Sequence, residues 1–396
     1  LYSGENEKTD GEKVMKENWF PIGFWNYVDC GKLKPSKEVK LWKELGMTLA
    51  MSFEYRKKQD RACMIKTLDA CKREGLRVIV CDFRTHWKNY EEKGESAFIA
   101  DVKEAVKDFG KHRAFYAFHV GDEPDKEHWQ SMKRACEIVS RFSVPFVNFY
   151  PVWEGEDFEE KVGVDFRKYG DRLAGTLRET GLKILAYDCY NQCYEYEREK
   201  GLESFFANLN LFQKTAAECK VPMWTSLLSV GHWCYRVPTE DDFRWQIAAS
   251  IAHGAKGLLW FFIYERTLDS SYRLSPVDLY ERRTETFERL TRQNKIFRDY
   301  FSSRFAQAEL EKVEHFNKAY GKTPLYKAGD FSDFEIFTKY DSPLIISEFC
   351  DAAGKFLLVV NNSQSGSERI KGTLEGSPFD EWLAPGQMKV LERVKK

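Results

Sequence analysis

The stretch from Ala114 to Pro124 reads AFYAFHVGDEP and puts two consecutive carboxylates, Asp122 and Glu123, between a glycine and a proline. The run before them is apolar and aromatic with little alternation, which reads as a strand buried on both faces, as in a parallel sheet. Reacting groups collect at the carboxyl ends of such strands in α/β barrels and open α/β sheets. A Gly/Pro turn with solvated acids would show the same residues. The elements around the stretch decide between the two.

One unit recurs along the chain: a charged amphipathic stretch, a glycine, then a short apolar run. It appears as KELGMTLAMSFEYR, KREGLRVIVCDFRTHW, RETGLKILAYDCYN and AHGAKGLLWFFIYE. The glycine sits where a helix ends in a left-handed residue just before a strand. Repetition of helix, glycine and strand is the pattern of parallel βα architecture. Eight strands are expected at 21–28, 47–53, 77–83, 114–120, 145–150, 184–190, 222–230 and 257–264. Their span matches the roughly 250 residues of eight βα units closed into a barrel. The turn after the first strand, WNYVDCGKL, holds a single glycine, so a dinucleotide-binding open sheet is disfavoured. The expected fold is therefore α/β, a (β/α)8 TIM barrel over 19–324. A helical stretch at about 279–305 precedes a change of pattern near Leu325. From there short alternating strands separated by Gly, Asn, Asp or Ser turns predict a small antiparallel, sandwich-like β domain over 325–396, fixed against the barrel. Residues 1–18 read as a polar N-terminal segment.

In a barrel the strand ends form a ring, and the residues falling there can be tested by type. Strand one supplies Trp25 and Asn26, strand two Glu54, and strand three Asp82, His86 and Trp87. Strand four supplies His119, Asp122 and Glu123, strand five Tyr150 and strand six Asp188 and Tyr190. Strand seven offers Trp224 and His232, and strand eight Trp260, Tyr264 and Glu265. Carboxylates facing a common cleft ringed by aromatics are what glycoside hydrolysis needs: one acid protonates the departing oxygen, and a second carboxylate attacks the anomeric carbon or activates water. Aromatic faces stack on sugar rings, and aromatics are 15 % of the chain, although large cores also use them. An aldolase would need a desolvated Lys at a strand end. A phosphate-binding barrel would need Gly-rich loops after strands seven and eight, where SVGHWCYR and ERTLDSS stand instead. A metal-dependent hydrolase would carry a paired His-x-His on an early strand. Isolated histidines read as hydrogen-bonding or sugar-contacting groups.

HVGDEP resembles the general-acid strand of glycoside hydrolase clan A, whose pattern ends in Asn-Glu-Pro. IAASIAHGAKGLLWFFIY is similar to the last helix and strand of family 42 β-galactosidases and their relatives. The resemblance spans the barrel. It implies Glu123 as general acid/base and puts Asp122 in the position of the sugar-contacting Asn. Clan A carries its nucleophile Glu on the seventh strand, and here that strand, VPMWTSLLSVGHW, has no acid. Either the second carboxylate has moved, with Asp188 the first candidate and Glu265 the next, or the barrel binds sugar without cleaving it. Asp188 could also be structural, holding a loop through backbone amides. Were Asp188 the partner, its short side chain would favour the wider gap of an inverting enzyme. Glu54 and Asp82 each have an Arg two residues on, which suits support or substrate contact.

Composition bounds the rest. Lys plus Arg number 61 against 62 Asp plus Glu, so nothing points to nucleic acid. The longest apolar run, 257–264, is too short to span a membrane. The ten cysteines are scattered without a C-x-x-C pair or zinc spacing, and several lie in apolar runs where Cys packs as a small hydrophobe. The expectation is a carbohydrate substrate with no metal or organic cofactor. The chain opens on Leu1 rather than Met; if that is a trimmed mature terminus, a secreted or periplasmic protein is expected, and otherwise the sequence leaves the compartment open.

Overall fold

A computed structural model describes residues 19–28, 30–268 and 271–393. The polar segment at 1–18 lies outside the described residues. Eight strands, β1 (Ile22–Phe24), β2 (Leu49–Met51), β3 (Arg77–Val80), β4 (Phe115–Asp122), β5 (Pro145–Phe149), β6 (Leu185–Asp188), β7 (Met223–Leu228) and β8 (Gly257–Phe261), form one sheet in the order β1-β8-β7-β6-β5-β4-β3-β2. Every ladder in it is parallel. The seam between β1 and β2 is drawn together by Thr48, whose amide donates to the Ile22 carbonyl at 2.9 Å and whose hydroxyl accepts from the Ile22 amide at 2.8 Å. The (β/α)8 barrel expected from the recurring unit is present. Gly75 and Gly181 end their helices at φ 73° and 70°, the left-handed geometry that their place before a strand demanded.

Side-chain alternation divides the strands into two layers. Residues of one parity pack outward on the helices, among them Leu185, Tyr187, Leu258 and Trp260. The other parity fills the barrel, including Ala117, Phe146, Ala186, Trp224 and Leu259. Along the barrel interior Trp224 stacks on Tyr116 at 5.7 Å and meets Phe146 at 5.8 Å. The interior is therefore a packed aromatic column below the mouth.

Strand β4 breaks its own alternation. Its register against β5 slips between His119 and Gly121, so His119 faces Phe146, Gly121 faces Val147 and Asp122 faces Asn148. Such a bulge adds one residue to a strand and re-aims the side chains beyond it. Asp122 thereby joins the inward face, and Gly121 turns outward under Trp87. A Cβ on Gly121 would sit 1.8 Å from that indole, so the close packing of strand and ring requires glycine. Glu123 comes next at φ 47°, a left-handed conformation uncommon for a side chain of this size and one that clusters where structure is held for a purpose.

Beyond the barrel, helices Glu285–Tyr300 and Ser302–Phe305 lead into two antiparallel sheets. The first holds β9 (Glu309–Phe316), β11 (Leu344–Asp351), β12 (Gly354–Asn361) and β15 (Met388–Glu392) in the order β15-β12-β11-β9. The second is β10 (Phe334–Thr338), β13 (Glu368–Leu374) and β14 (Ser377–Leu383) in the order β10-β13-β14. The antiparallel ladder takes in Glu309–Phe316, ahead of Leu325 where the sequence pattern changes, because β9 pairs along β11. The sheets lie against the barrel helix Glu240–Ala252: Trp245 donates from Nε1 to the Asn362 amide oxygen at 2.9 Å, and the Ser347 hydroxyl donates to the Ala252 carbonyl at 2.7 Å. Among the described residues no helix is long and apolar enough to cross a membrane.

Candidate active site

The carboxyl ends of β4, β5 and β6 bring three acids to one point. Asn148, the last inward residue of β5, donates from its single amide nitrogen to Asp122 Oδ1 at 3.0 Å and to Asp188 Oδ1 at 2.7 Å. The Glu123 backbone amide donates to the Asn148 carbonyl at 2.8 Å, which anchors the left-handed turn. The Glu123 carboxyl and the Tyr190 hydroxyl lie beside the Asp188 carboxyl, close enough for each to shift its titration. These groups open onto a cavity of about 480 Å³, a volume usual for small-ligand sites.

Electrostatics separates the three acids. Removal from water and the charge of Asp188 raise Asp122 from its ordinary 3.8 to about 7, against the pull of the Asn148 hydrogen bond. Glu123 is raised by burial, then by the charges of Asp188 and Asp122, with Lys161 opposing. Burial also raises Asp188, but donors from Asn148 and Tyr190 hold it down. Within this close pair the proton therefore resides on Glu123, because Asp188 is the carboxylate that accepts from Asn148.

Strands β1, β7 and β8, with the loops after β5 and β6, make the rest of the lining, and it is aromatic. Trp25, Tyr190, His232 and Phe261 line the cavity with Tyr27, Tyr150, Trp153, Tyr194, Trp233 and Tyr235. Trp25 is fixed by an Nε1 donor bond to Ser226 Oγ at 3.0 Å, and Tyr190 stacks on Phe261 at 5.3 Å. The loop after β6 is held from outside the barrel: Gln364 donates to the Gln192 carbonyl at 3.1 Å and accepts from Arg198 Nε at 3.2 Å.

Of the residues singled out from sequence, Glu123, Asp188, Asp122, Trp25, Tyr150, Tyr190 and His232 reach the cavity. The others do not, for identifiable reasons. Asn26 is buried, donating to the Met51 carbonyl at 3.2 Å. Glu54 is on the surface, paired with Arg56 at 2.6 Å. Asp82 is outward by parity and buried under Arg84 at 2.8 Å, where it also caps the turn Phe83–Thr85. His86 caps helix Trp87–Lys93 through its ring, accepting from the Lys88 amide at 3.1 Å, and Trp87 packs over Gly121. His119 sits one layer deeper, edge-on to Trp25 at 5.8 Å, and burial lowers its pKa to about 4, so it is neutral. Trp224 belongs to the interior column. Trp260 faces outward and donates to Asn294 Oδ1 at 3.0 Å, and the Tyr264 hydroxyl accepts from Trp42 at 2.7 Å. Glu265 is not among the cavity residues; its amide bonds the Val277 carbonyl at 3.0 Å. Asp188 and Glu123 stand near enough for each carboxyl to shift the other's titration.

Sequence reasoning passed over Asn148, Tyr27 and Phe261. The signal for Asn148 was a lone amide in the apolar run VPFVNFY, and Tyr27 and Phe261 share parity with Trp25 and Leu259. Among the described residues no group of His, Cys, Asp and Glu is arranged to hold a metal ion.

An endo-β-1,4-mannanase from Thermotoga petrophila superposes with a TM-score of 0.51 at 9 % identity, covering 93 % of this chain and 98 % of that one. A β-galactosidase from the psychrophilic Marinomonas ef1 gives 0.51 at 10 % identity over 72 % of this chain and 61 % of its own. A GH5_18 protein from Bifidobacterium longum subsp. longum, solved with Manβ1-4GlcNAc, gives 0.52 at 12 % over 71 % and 79 %. The fold is one that glycosidases use. No protein-family model and no curated protein matches the chain significantly.

Proposed function

We propose that the protein hydrolyses an O-glycosidic bond in an oligo- or polysaccharide, with Glu123 as general acid and then general base. The observation that carries this reading is the Glu123 carboxyl: it is kept protonated by burial and by two neighbouring acids, at the carboxyl end of β4, in an aromatic cleft. A general acid must hold its proton at the working pH and release it to the leaving oxygen. Asp188 acts as the positioning residue for that proton rather than as a base across the sugar, because its carboxylate is held by Asn148 beside Asp122 and Glu123. Trp25, Tyr150, Tyr190 and His232 are assigned to the sugar, and Glu265 loses its candidacy. Acid pair, aromatic cleft and a barrel shape shared with known glycosidases all support the assignment.

The test is Glu123→Gln, which keeps shape and removes the titrating oxygen. Against a broad set of plant, algal and host glycans, the wild type is expected to release sugar and the variant to be slower by about 10²–10⁴-fold on unactivated bonds. Equal rates would end the assignment of Glu123. A second reading, a barrel that binds glycan without cleaving it, draws on the acid-free strand β7; a wild type that binds the same glycans and releases nothing would establish it.

A further inference from the structure

Retaining and inverting glycosidases alike place a second carboxylate on the far side of the sugar from the acid. Here the cavity's acids, Asp122, Glu123 and Asp188, stand together on the wall of β4, β5 and β6. Among the described residues the facing wall offers no substitute. The inward residues of β7 are Trp224, Ser226 and Leu228, and the Ser226 hydroxyl is engaged by Trp25. Burial pushes the Cys189 thiol up to about 12, and at the cavity mouth the charges of Asp122 and Asp188 favour the protonated Tyr27 phenol. With no protein nucleophile among these groups, the attacking atom must come from the substrate or from water held without a facing base.

The site has features that suit the first. Asp188 accepts from Asn148 and has the Glu123 carboxyl and the Tyr190 hydroxyl crowded beside it, whereas Asp122 has, among the described residues, one protein donor, Asn148 on Oδ1. Its second oxygen is open to accept an N–H beside the acid. In the same cavity Tyr190, His232 and Phe261 pack into an aromatic cluster, with ring centroids 5.1–6.1 Å apart. An acceptor beside a proton donor, in a cavity lined by an aromatic cluster, matches the N–H and the methyl of an acetamido group.

We propose that the cavity takes a β-linked 2-acetamido sugar whose own carbonyl oxygen is the nucleophile, with Glu123 donating the proton and Asp122 accepting the amide N–H. This rests on the glycosidase reading and names its substrate class. The acetamido oxygen forms a bond to the anomeric carbon as the bond to the leaving oxygen breaks, and that oxygen takes the Glu123 proton. The positive charge of the resulting oxazolinium ion lies over its ring N–H, facing the Asp122 carboxylate. Water then attacks the anomeric carbon, giving its proton to Glu123, and the carbon–oxygen bond of the ring opens to restore the acetamide. One water is consumed and configuration is retained. The 1,2-trans arrangement needed for back-side attack makes the linkage β in gluco- and galacto-configured sugars.

The experiment compares 4-nitrophenyl 2-acetamido-2-deoxy-β-glucoside and -galactoside with the corresponding 2-hydroxy glycosides, and adds the mono-, di- and trifluoroacetamido series. The acetamido substrates are expected to react more than about 100-fold faster, reflecting the internal nucleophile, with rates falling steadily as fluorine withdraws electrons from the carbonyl. Proton NMR should show the β-anomer first, and Asp122→Asn should lose about 10²–10³-fold in kcat while melting cooperatively like the wild type. Equal rates on 2-hydroxy glycosides, or no response to fluorination, would overturn the proposal and leave the glycosidase reading standing. No cleavage of any glycoside or glycan would remove both.

Discussion

The two walls of the cavity are built from opposite chemistry. On the side of β4, β5 and β6, a single amide ties two carboxylates together and a third, protonated, stands beside them; on the side of β7, β8 and β1, aromatic rings line the cavity with no acid among the described lining residues. The first wall is costly to fold, since like charges are buried against one another, and the second is where burial stabilises the fold. An arrangement that concentrates electrostatic cost on one side of a site indicates where bonds change, and the other side indicates what is held.

Breaking the acid wall should have the largest consequence. Glu123→Gln should lower kcat by about 10³-fold, whereas no single truncation on the aromatic wall should lower it more than about tenfold. Next comes stability. Asp122 holds its proton more tightly folded than unfolded, so its contribution is neutral below pH 4 and becomes increasingly unfavourable as pH rises towards about 7. Asp122→Asn removes that penalty. The variant should be more stable than wild type at pH 8 by about 2–3 kcal/mol and indistinguishable at pH 4, read by denaturant unfolding at both. A variant destabilised equally at both values would contradict the charge argument.

Asn148→Ala deletes the shared donor. Both Asp122 and Asp188 should rise further in pKa, moving the acidic limb of the kcat/KM profile to higher pH by about one unit and lowering the plateau about 10–100-fold. An unmoved limb would mean that the amide merely fills space. The smallest effect belongs to the rim of the aromatic wall. Trp233 is 73 % exposed, and Trp233→Ala should raise KM about 3–10-fold, with kcat and the melting temperature unchanged.

The barrel was legible because helix, glycine and strand recur in a fixed order, and because the period of two separates layers once the strands are placed. The site was legible only in part. Asp122, Glu123 and Asp188 were readable as acids at strand ends, but the bulge that turns Asp122 inward leaves no mark beyond a glycine. Alternation continued from Phe118 would have pointed that carboxylate at the helices. The excluded candidates share one cause: a polar residue near a strand end has two faces to choose from, and Asp82, Trp260 and Tyr264 took the outer one, where Arg84, Asn294 and Trp42 met them. The pairing of Glu123 with Asp188 depends on the tilt of neighbouring strands, which no spacing in the sequence records.

The bonds from Gln364 to the loop after β6 give the antiparallel sheets a hold on the cavity. Asn191 and Tyr194 stand in that loop and face the ligand space. A local opening of the sheets, of the kind that hydrogen exchange detects long before global melting, would release the loop while leaving the eight strands hydrogen-bonded. Loss of turnover on warming should therefore precede loss of the barrel's circular dichroism, and the temperature of inactivation becomes a report on the sheets rather than on the barrel.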